Sequence, residues 1–336
     1  MLTAVTAGPE LGPGARNAIH TCLRLRPEER VTLITDRESL EIAAALVQEV
    51  EEVGAAYTLI VLEDHAPRPL AAMPAPVLAE LERSDVSVYA ASALPGELPA
   101  RIAMTDVINR RGIRHAHMVN IDRRIMQEGM RADYLEVDAL STRLIARAQT
   151  ARVIHVTSPG GTDLTATFSP RLRWIKTSGL ITPDKWGNLP GGEIFTCPAG
   201  AEGRFVVDGV VGDYLCRKYG DLRATPLAIE VRGARIASLA CDDPELLAEF
   251  RAYTSTDSNS DRVGEFAIGT NVAVRDVIGN ILQDEKIPSV HIAFGHPYAE
   301  HTGADWLSTT HIDCVARQCS IAIDGEPVME RGRFLI

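Results

Sequence analysis

From Arg30 onward, short β-branched apolar runs alternate with stretches whose apolar residues recur at helical spacing. VTLIT at 31–35, a periodic stretch near 38–53, YTLIVL at 57–62, VLAELERS, VSVYA, a helical pattern around 100–112 and HMVN at 117–120 follow one another. Strand and helix alternating at this pitch define βαβ units and a parallel sheet. The first half therefore predicts a small doubly wound α/β domain. Its strand-to-helix turns hold neither a GxxxxGKS/T phosphate loop nor a GxGxxG fingerprint, so nothing there argues for nucleotide binding.

A helical pattern from about Arg123 to Thr150 leads into a different texture. VIHVTSP and TDLTATF flank Gly160-Gly161, which predicts a β-hairpin because paired glycines accept the positive φ angles of a tight turn. Strands and Gly/Pro turns dominate from there, with helices expected near 243–253 and 272–281. The boundary is expected near residue 150. Residues 1–150 then form the N-terminal α/β domain, and 151–336 a strand-rich α+β domain that carries the chemistry.

Composition narrows the function more than the fold. A chain of 336 residues, 46% hydrophobic and 24% charged, folds around a sizeable core. Its 45 acidic against 34 basic side chains give a formal charge of −11, which disfavours attraction to nucleic-acid phosphates or anionic lipid. The six cysteines, at 22, 197, 216, 241, 314 and 319, form no Cys-x-x-Cys pair, so neither a zinc ribbon nor a disulfide framework is indicated. The opening segment Met1–Ala15 lacks a long apolar core and no run approaches eighteen apolar residues. A cytoplasmic protein with no membrane partner is expected.

Candidate chemistry lies in the second half, where four apolar strand-like runs are each interrupted by a residue able to ligate a metal. They are PGGEIFTC at 190–197, VGEFAIG at 263–269, SVHIAFG at 289–295 and THIDCV at 310–315. Successive strand side chains alternate faces, so His311 and Asp313 project together while Ile312 packs on the other side. His291 shares its face with the small Ala293, and Glu265 with Ala267, so room is left beside each polar group. A single Glu or His in an apolar strand is ordinarily a satisfied core residue or part of a polar face. Three carboxylates and two histidines in matching settings are different, because clustered carboxylates near a core are costly and divalent cations compensate them.

The segments NLPGGEIFTCP (188–198), RVGEFAIGTN (262–271), SVHIAFG followed by Tyr298, and THIDCV occur in the same order as the metal-site motifs of the aminopeptidase T family of metallo-aminopeptidases, which the second half of the chain resembles; SPGGTDLTATF (158–168) is similar to a further family segment. The resemblance implies two divalent metal ions, zinc, cobalt or manganese, held by Glu193, Glu265, His291, His311 and Asp313. It places the Tyr298 phenol beside them and implies a homodimer. His296 and His301 have no counterpart in the motifs and are expected at the periphery of the site or on the surface.

The expected activity is hydrolysis of a peptide or small amide bond next to a free amine, by a water that two metals acidify. Glu193 or Glu265 would carry the proton, and Tyr298 would donate a hydrogen bond to the tetrahedral oxyanion. Two other readings are carried forward. The same fold supports a mononuclear iron dioxygenase that cleaves a dihydroxypyridine ring and has a histidine where this chain has Glu265. The third is a metal-free protein binding a small molecule in a cleft. Neither a GxSxG nor an HExxH motif is present, so serine hydrolase and zincin chemistry have no residues to rest on.

Overall fold

The computed structural model describes residues 7–183 and 186–336, which fall into two compact units. The first comprises residues 1–135 and 179–191, the second 136–178 and 192–336. This differs from a single cut near residue 150 in two ways. Helix Tyr134–Ala148 lies almost wholly in the second unit, and a segment from the middle of the chain returns to the first. That return has a backbone cause: the short strand Gly187–Asn188 pairs in parallel with Arg114–His117, and Leu189 N donates to His117 O at 3.1 Å.

The sheet of the first unit runs Ala56–Val61, Arg30–Thr35, Val86–Ala90, Arg114–His117 and Gly187–Asn188, all parallel. The chain leaves Arg30–Thr35 first to one side and then to the other, which is the doubly wound arrangement. Helices Leu40–Val53, Ala75–Leu81 and Leu98–Arg111 connect the strands. Leu40–Val53 stops at Gly54, whose φ of 81° ends the helix in a left-handed turn that a side chain would disfavour. In such sheets the crevice at the carboxyl ends of the central strands commonly receives a ligand. Here the buried Arg68 guanidinium ties those ends together, bonding Asp36 after one strand (2.7 Å) and Glu97 (2.5 Å), while Ser92 N after the other strand donates to Asp36 (2.7 Å).

The expected continuous helix from Arg123 to Thr150 is broken. Helix Arg123–Gln127, capped by the Asp122 carboxylate on Ile125 N, stops at Glu128 (φ −121°, ψ −91°), and a 3-10 turn at Gly129–Arg131 precedes Tyr134–Ala148. The helix expected near 243–253 is present as Pro244–Tyr253, capped by Asp243 on two backbone N–H groups. The one expected near 272–281 is not; only Ile281–Asp284 is helical. The Asp284 carboxylate accepts from the N–H groups of Ile278, Gly279 and Asn280, so a side chain supplies the partners that a helical backbone would otherwise need.

The second unit contains two antiparallel sheets. The larger has eight strands in the order Arg235–Ala240, Leu227–Arg232, Gly200–Val207, Asp163–Thr167, Val153–Thr157, Ser320–Ile323, Glu326–Glu330 and Arg333–Phe334. Val153–Thr157 and Asp163–Thr167 form the expected hairpin, with Gly161 at a φ of 101°. The smaller has five strands, His311–Val315, Val290–Gly295, Val263–Gly269, Glu193–Thr196 and Ile175–Thr177. Ile194, Phe266, Ile268, Ile292, Phe294 and Ile312 from this smaller sheet join Ile154, Leu164, Phe205 and Ile229 from the larger in one core. Burial of that face drives the two sheets together. It also fixes the phase of every strand in the smaller sheet, leaving the alternate residues on the opposite face.

Candidate metal centre

Those alternate residues are the acidic and imidazole side chains. Glu265 stands opposite Ala293, which stands opposite Asp313; His291 stands opposite Ala267, which stands opposite Phe195; Gly295 stands opposite His311. Residues directly opposite in an antiparallel pair share a face, so strands far apart in sequence deliver their polar groups to one patch. Glu193 enters from the start of its own strand, opposite Gly269.

The structure brings all five sequence-predicted ligands together, in two overlapping groups whose ligand atoms lie within 4.8 Å of one another: Glu193, Glu265 and His291, and Glu265, His311 and Asp313. His291 Nε2 is 3.6 Å from Glu193 Oε2 and 3.4 Å from Glu265 Oε1. His311 Nε2 is 3.7 Å from Glu265 Oε2 and 3.2 Å from Asp313 Oδ1. Glu265 therefore turns one oxygen to each histidine. His311 Nδ1 donates to His296 O at 2.9 Å, which orients the ring and leaves Nε2 for the cluster.

Two further charged groups, which the strand-phase argument did not reach, complete the cluster. Glu285 groups with His291 and Asp313. Lys286, 2% exposed, places Nζ 2.7 Å from Glu193 Oε1 and 2.5 Å from Glu285 Oε1. Both lie beyond the amino end of the His291 strand, where alternation says nothing about direction. The available signal was the charged triplet Asp284-Glu285-Lys286 between Leu282 and Ile287.

Four carboxylates thus surround one ammonium and two imidazoles, and the protonation of the cluster follows. Burial opposes charge on His291, but the Glu265 hydrogen bond and the Glu193 carboxylate outweigh it and raise its pKa to about 9. For His311 burial is likewise overcome, by Asp313 and Glu265, giving about 10. Burial raises Glu285 to about 7 against the pull of Lys286. Burial also raises the Tyr298 phenol well above its ordinary value, reinforced by Glu265 and Asp313, so Tyr298 keeps its proton. Its ring meets His311 edge-on at 4.9 Å and Phe195 at 5.9 Å.

Glu193 Oε1 accepts from both Thr177 Oγ1 (2.9 Å) and Lys286, whereas its buried Oε2 has no hydrogen-bond partner. A buried carboxylate oxygen left bare beside a second carboxylate and an imidazole suits a divalent cation, and this oxygen-rich donor set suits zinc, cobalt or manganese. The residues present fit such ions. His296 approaches the site through its carbonyl, and its Nδ1 accepts from Tyr298 N at 3.1 Å. His301 is exposed, 3.7 Å from Glu300.

Ala293 is the floor between Glu265 and Asp313. Ala293→Leu is expected to fill the space where the ligands meet and to cut metal content at least about ten-fold, the scale of disturbed ligand placement. Overpacking should lower stability by only about 1–3 kcal/mol. Elemental analysis alongside a urea melt checks this. Full metal content in a folded Ala293→Leu protein would place the metal elsewhere.

The fold and the cluster define an α/β protein whose second unit gathers carboxylates and imidazoles able to hold divalent metal. The sequence profile of the thermophilic metalloprotease (M29) family matches residues 136–332, and the chain belongs to that family. Among solved structures, wild-type AmpT from Thermus thermophilus is 18% identical with a TM-score of 0.70, over 97% of this chain and 99% of that one. The 2,5-dihydroxypyridine dioxygenase of Pseudomonas putida KT2440 is 17% identical with a TM-score of 0.68, over 97% and 96%. At these identities both matches establish the shared fold and nothing finer. No curated protein sequence matches the chain. No helix among the described residues is long and apolar enough to cross a membrane.

Proposed function

We propose that the chain is an aminopeptidase with a two-metal centre held by Glu193, Glu265, His291, His311 and Asp313. The observation that carries this is the two-sided Glu265 carboxylate, 3.4 Å from His291 and 3.7 Å from His311. A carboxylate that turns one oxygen to each imidazole would help hold both ions, together with Glu193 and His291 and with His311 and Asp313. Bound divalent ions would supply an acidified water and a polarised carbonyl.

The chain's own groups supply the rest. Tyr298, protonated and packed on His311, donates to the oxyanion. Glu193 and Glu265 are ligands in this reading, the bare Oε2 of Glu193 and both oxygens of Glu265 facing the histidines of the cluster, so neither is left free to carry a proton. Glu285, with one oxygen on Lys286 and its carboxylate near His291 and Asp313, is placed to relay the proton from water to the departing amine. Glu285→Gln should retain metal and lower kcat by about 10²–10⁴, the range for losing a general base. If kcat stays at the wild-type value while metal is retained, Glu285 is not the relay.

The reading as a whole is tested by elemental analysis and a panel of aminoacyl-p-nitroanilides and dipeptides, with oxygen uptake followed in parallel. Two ions per chain and release of N-terminal residues are expected. One iron per chain, oxygen-dependent consumption of a dihydroxylated ring and no peptidase activity would move the protein to the dioxygenase chemistry of its other structural neighbour.

A further inference from the structure

The strand that carries His311 and Asp313 lies at the edge of its sheet, and an edge strand presents unpaired N–H and C=O groups. Its inner side pairs with Val290–Gly295. On its outer side, Val315 exchanges hydrogen bonds with Gly209 N (2.9 Å) and Val210 O (3.0 Å), and Asp313 O accepts from Gly212 N at 2.7 Å. This irregular backbone support ends there. The next outward position is His311, and among the described residues no backbone group hydrogen-bonds to it from that side. One side chain takes that place: Tyr253 Oη donates to His311 O at 3.1 Å and accepts from His311 N at 3.4 Å.

We infer that Tyr253 is a positioning residue, a phenol that stands in for the missing strand and locks the backbone of His311. This rests on reading His311 as a metal ligand. The lock is built for direction. Tyr253 is the last residue of helix Pro244–Tyr253, whose Leu246 and Phe250 are anchored in the core, with Phe250 edge-on to Phe294 at 6.2 Å. The phenol is thus held from an anchored helix while the residue as a whole is 39% exposed. His311 is fixed at three points: its backbone by Tyr253, its Nδ1 by His296 O, and its ring by Tyr298. Without the phenol, water can satisfy the freed N–H and C=O of a half-exposed position. The fold therefore survives while the imidazole gains freedom.

Tyr253→Phe removes only the hydroxyl, so its effect separates positioning from packing. Cobalt(II) is titrated into chelator-stripped wild type, Tyr253→Phe, His311→Ala and the double variant, with the visible spectrum read at each step and hydrogen exchange at the His311 amide measured without metal. Tyr253→Phe is expected to weaken cobalt binding about ten-fold, the usual cost of losing a group that orients a ligand. The His311 amide should lose protection, and the double variant should bind no more weakly than His311→Ala. Wild-type cobalt affinity in Tyr253→Phe, when His311→Ala binds weakly, would overturn the lock and leave the metal centre intact. Unaltered cobalt binding in His311→Ala would instead overturn the metal reading. If Tyr253→Phe weakens binding but the effect persists undiminished on the His311→Ala background, the phenol acts through something other than His311 and the inference fails.

Discussion

Replacing Glu265 with glutamine is expected to reduce bound metal from two ions per chain to one or fewer and to lower amide hydrolysis by at least about a hundred-fold, the scale of losing a group that sustains transition-state charge. The reason is its double aspect: Oε1 faces His291 and Oε2 faces His311. Glutamine keeps the shape but replaces one anionic oxygen with an NH₂ that cannot ligate a cation, so one of the two proposed sites would lose a ligand outright. No oxygen should be consumed by either protein. Glu265→His should also abolish hydrolysis while offering a nitrogen-richer site to a single iron. Undiminished metal stoichiometry in Glu265→Gln would show that this carboxylate does not join two ions.

Lys286→Met should destabilise the metal-free protein by about 3–5 kcal/mol, the cost of breaking a buried ion pair from one side. Lys286 holds its charge although burial, the largest single influence, works against it, because Glu193 and Glu285 outweigh that cost and raise its pKa. Methionine occupies a similar volume but leaves two buried carboxylates with less counter-charge. Metal held at Glu193 Oε2 would supply counter-charge to the same carboxylate, so the penalty should shrink when zinc is restored. Urea melts with chelator and with saturating zinc measure both quantities. Equal stability of Lys286→Met and wild type in chelator would mean that the ammonium is not the counter-ion of the metal-free cluster. Destabilisation that zinc does not reduce would separate Lys286 from the metal centre.

The protonation state argues in the same direction. Without metal, the neighbouring carboxylates favour the imidazolium forms of His291 and His311 and the ammonium of Lys286 against the opposing effect of burial. Ligation requires neutral imidazole, so metal and protons compete for the same nitrogens.

Much of the site was legible in the sequence because side-chain alternation is a property of each strand alone. His311 and Asp313 share a face for the same reason that Ile312 and Cys314 share the other. The small Ala267 and Ala293, opposite His291 and between Glu265 and Asp313, leave room on the polar side. The helix at 244–253 was equally local, with its Asp243 cap and its apolar spacing. Two readings failed where one side chain or one residue's dihedrals overruled a pattern. The Asp284 carboxylate captured the N–H groups needed by a helix at 272–281, and Glu128 interrupted the helix expected to run from Arg123.

Local pattern along the chain dictates the α/β texture of the first half, the strand-rich second half, and which residues of the strands bearing Glu265, His291 and His311 turn away from their apolar neighbours, because packing of Phe266, Ile292 and Ile312 leaves one phase for each. Which strands become neighbours is settled by long-range packing. It set Glu193, Glu265, His291 and His311 on four successive strands of one sheet, returned residues 179–191 to the first unit, and brought Glu285, Lys286 and Tyr253 to the candidate ligands from turns and a helix end. Those placements depend on hydrogen bonds and packing between residues distant along the chain. Local spacing carries no information about such partners.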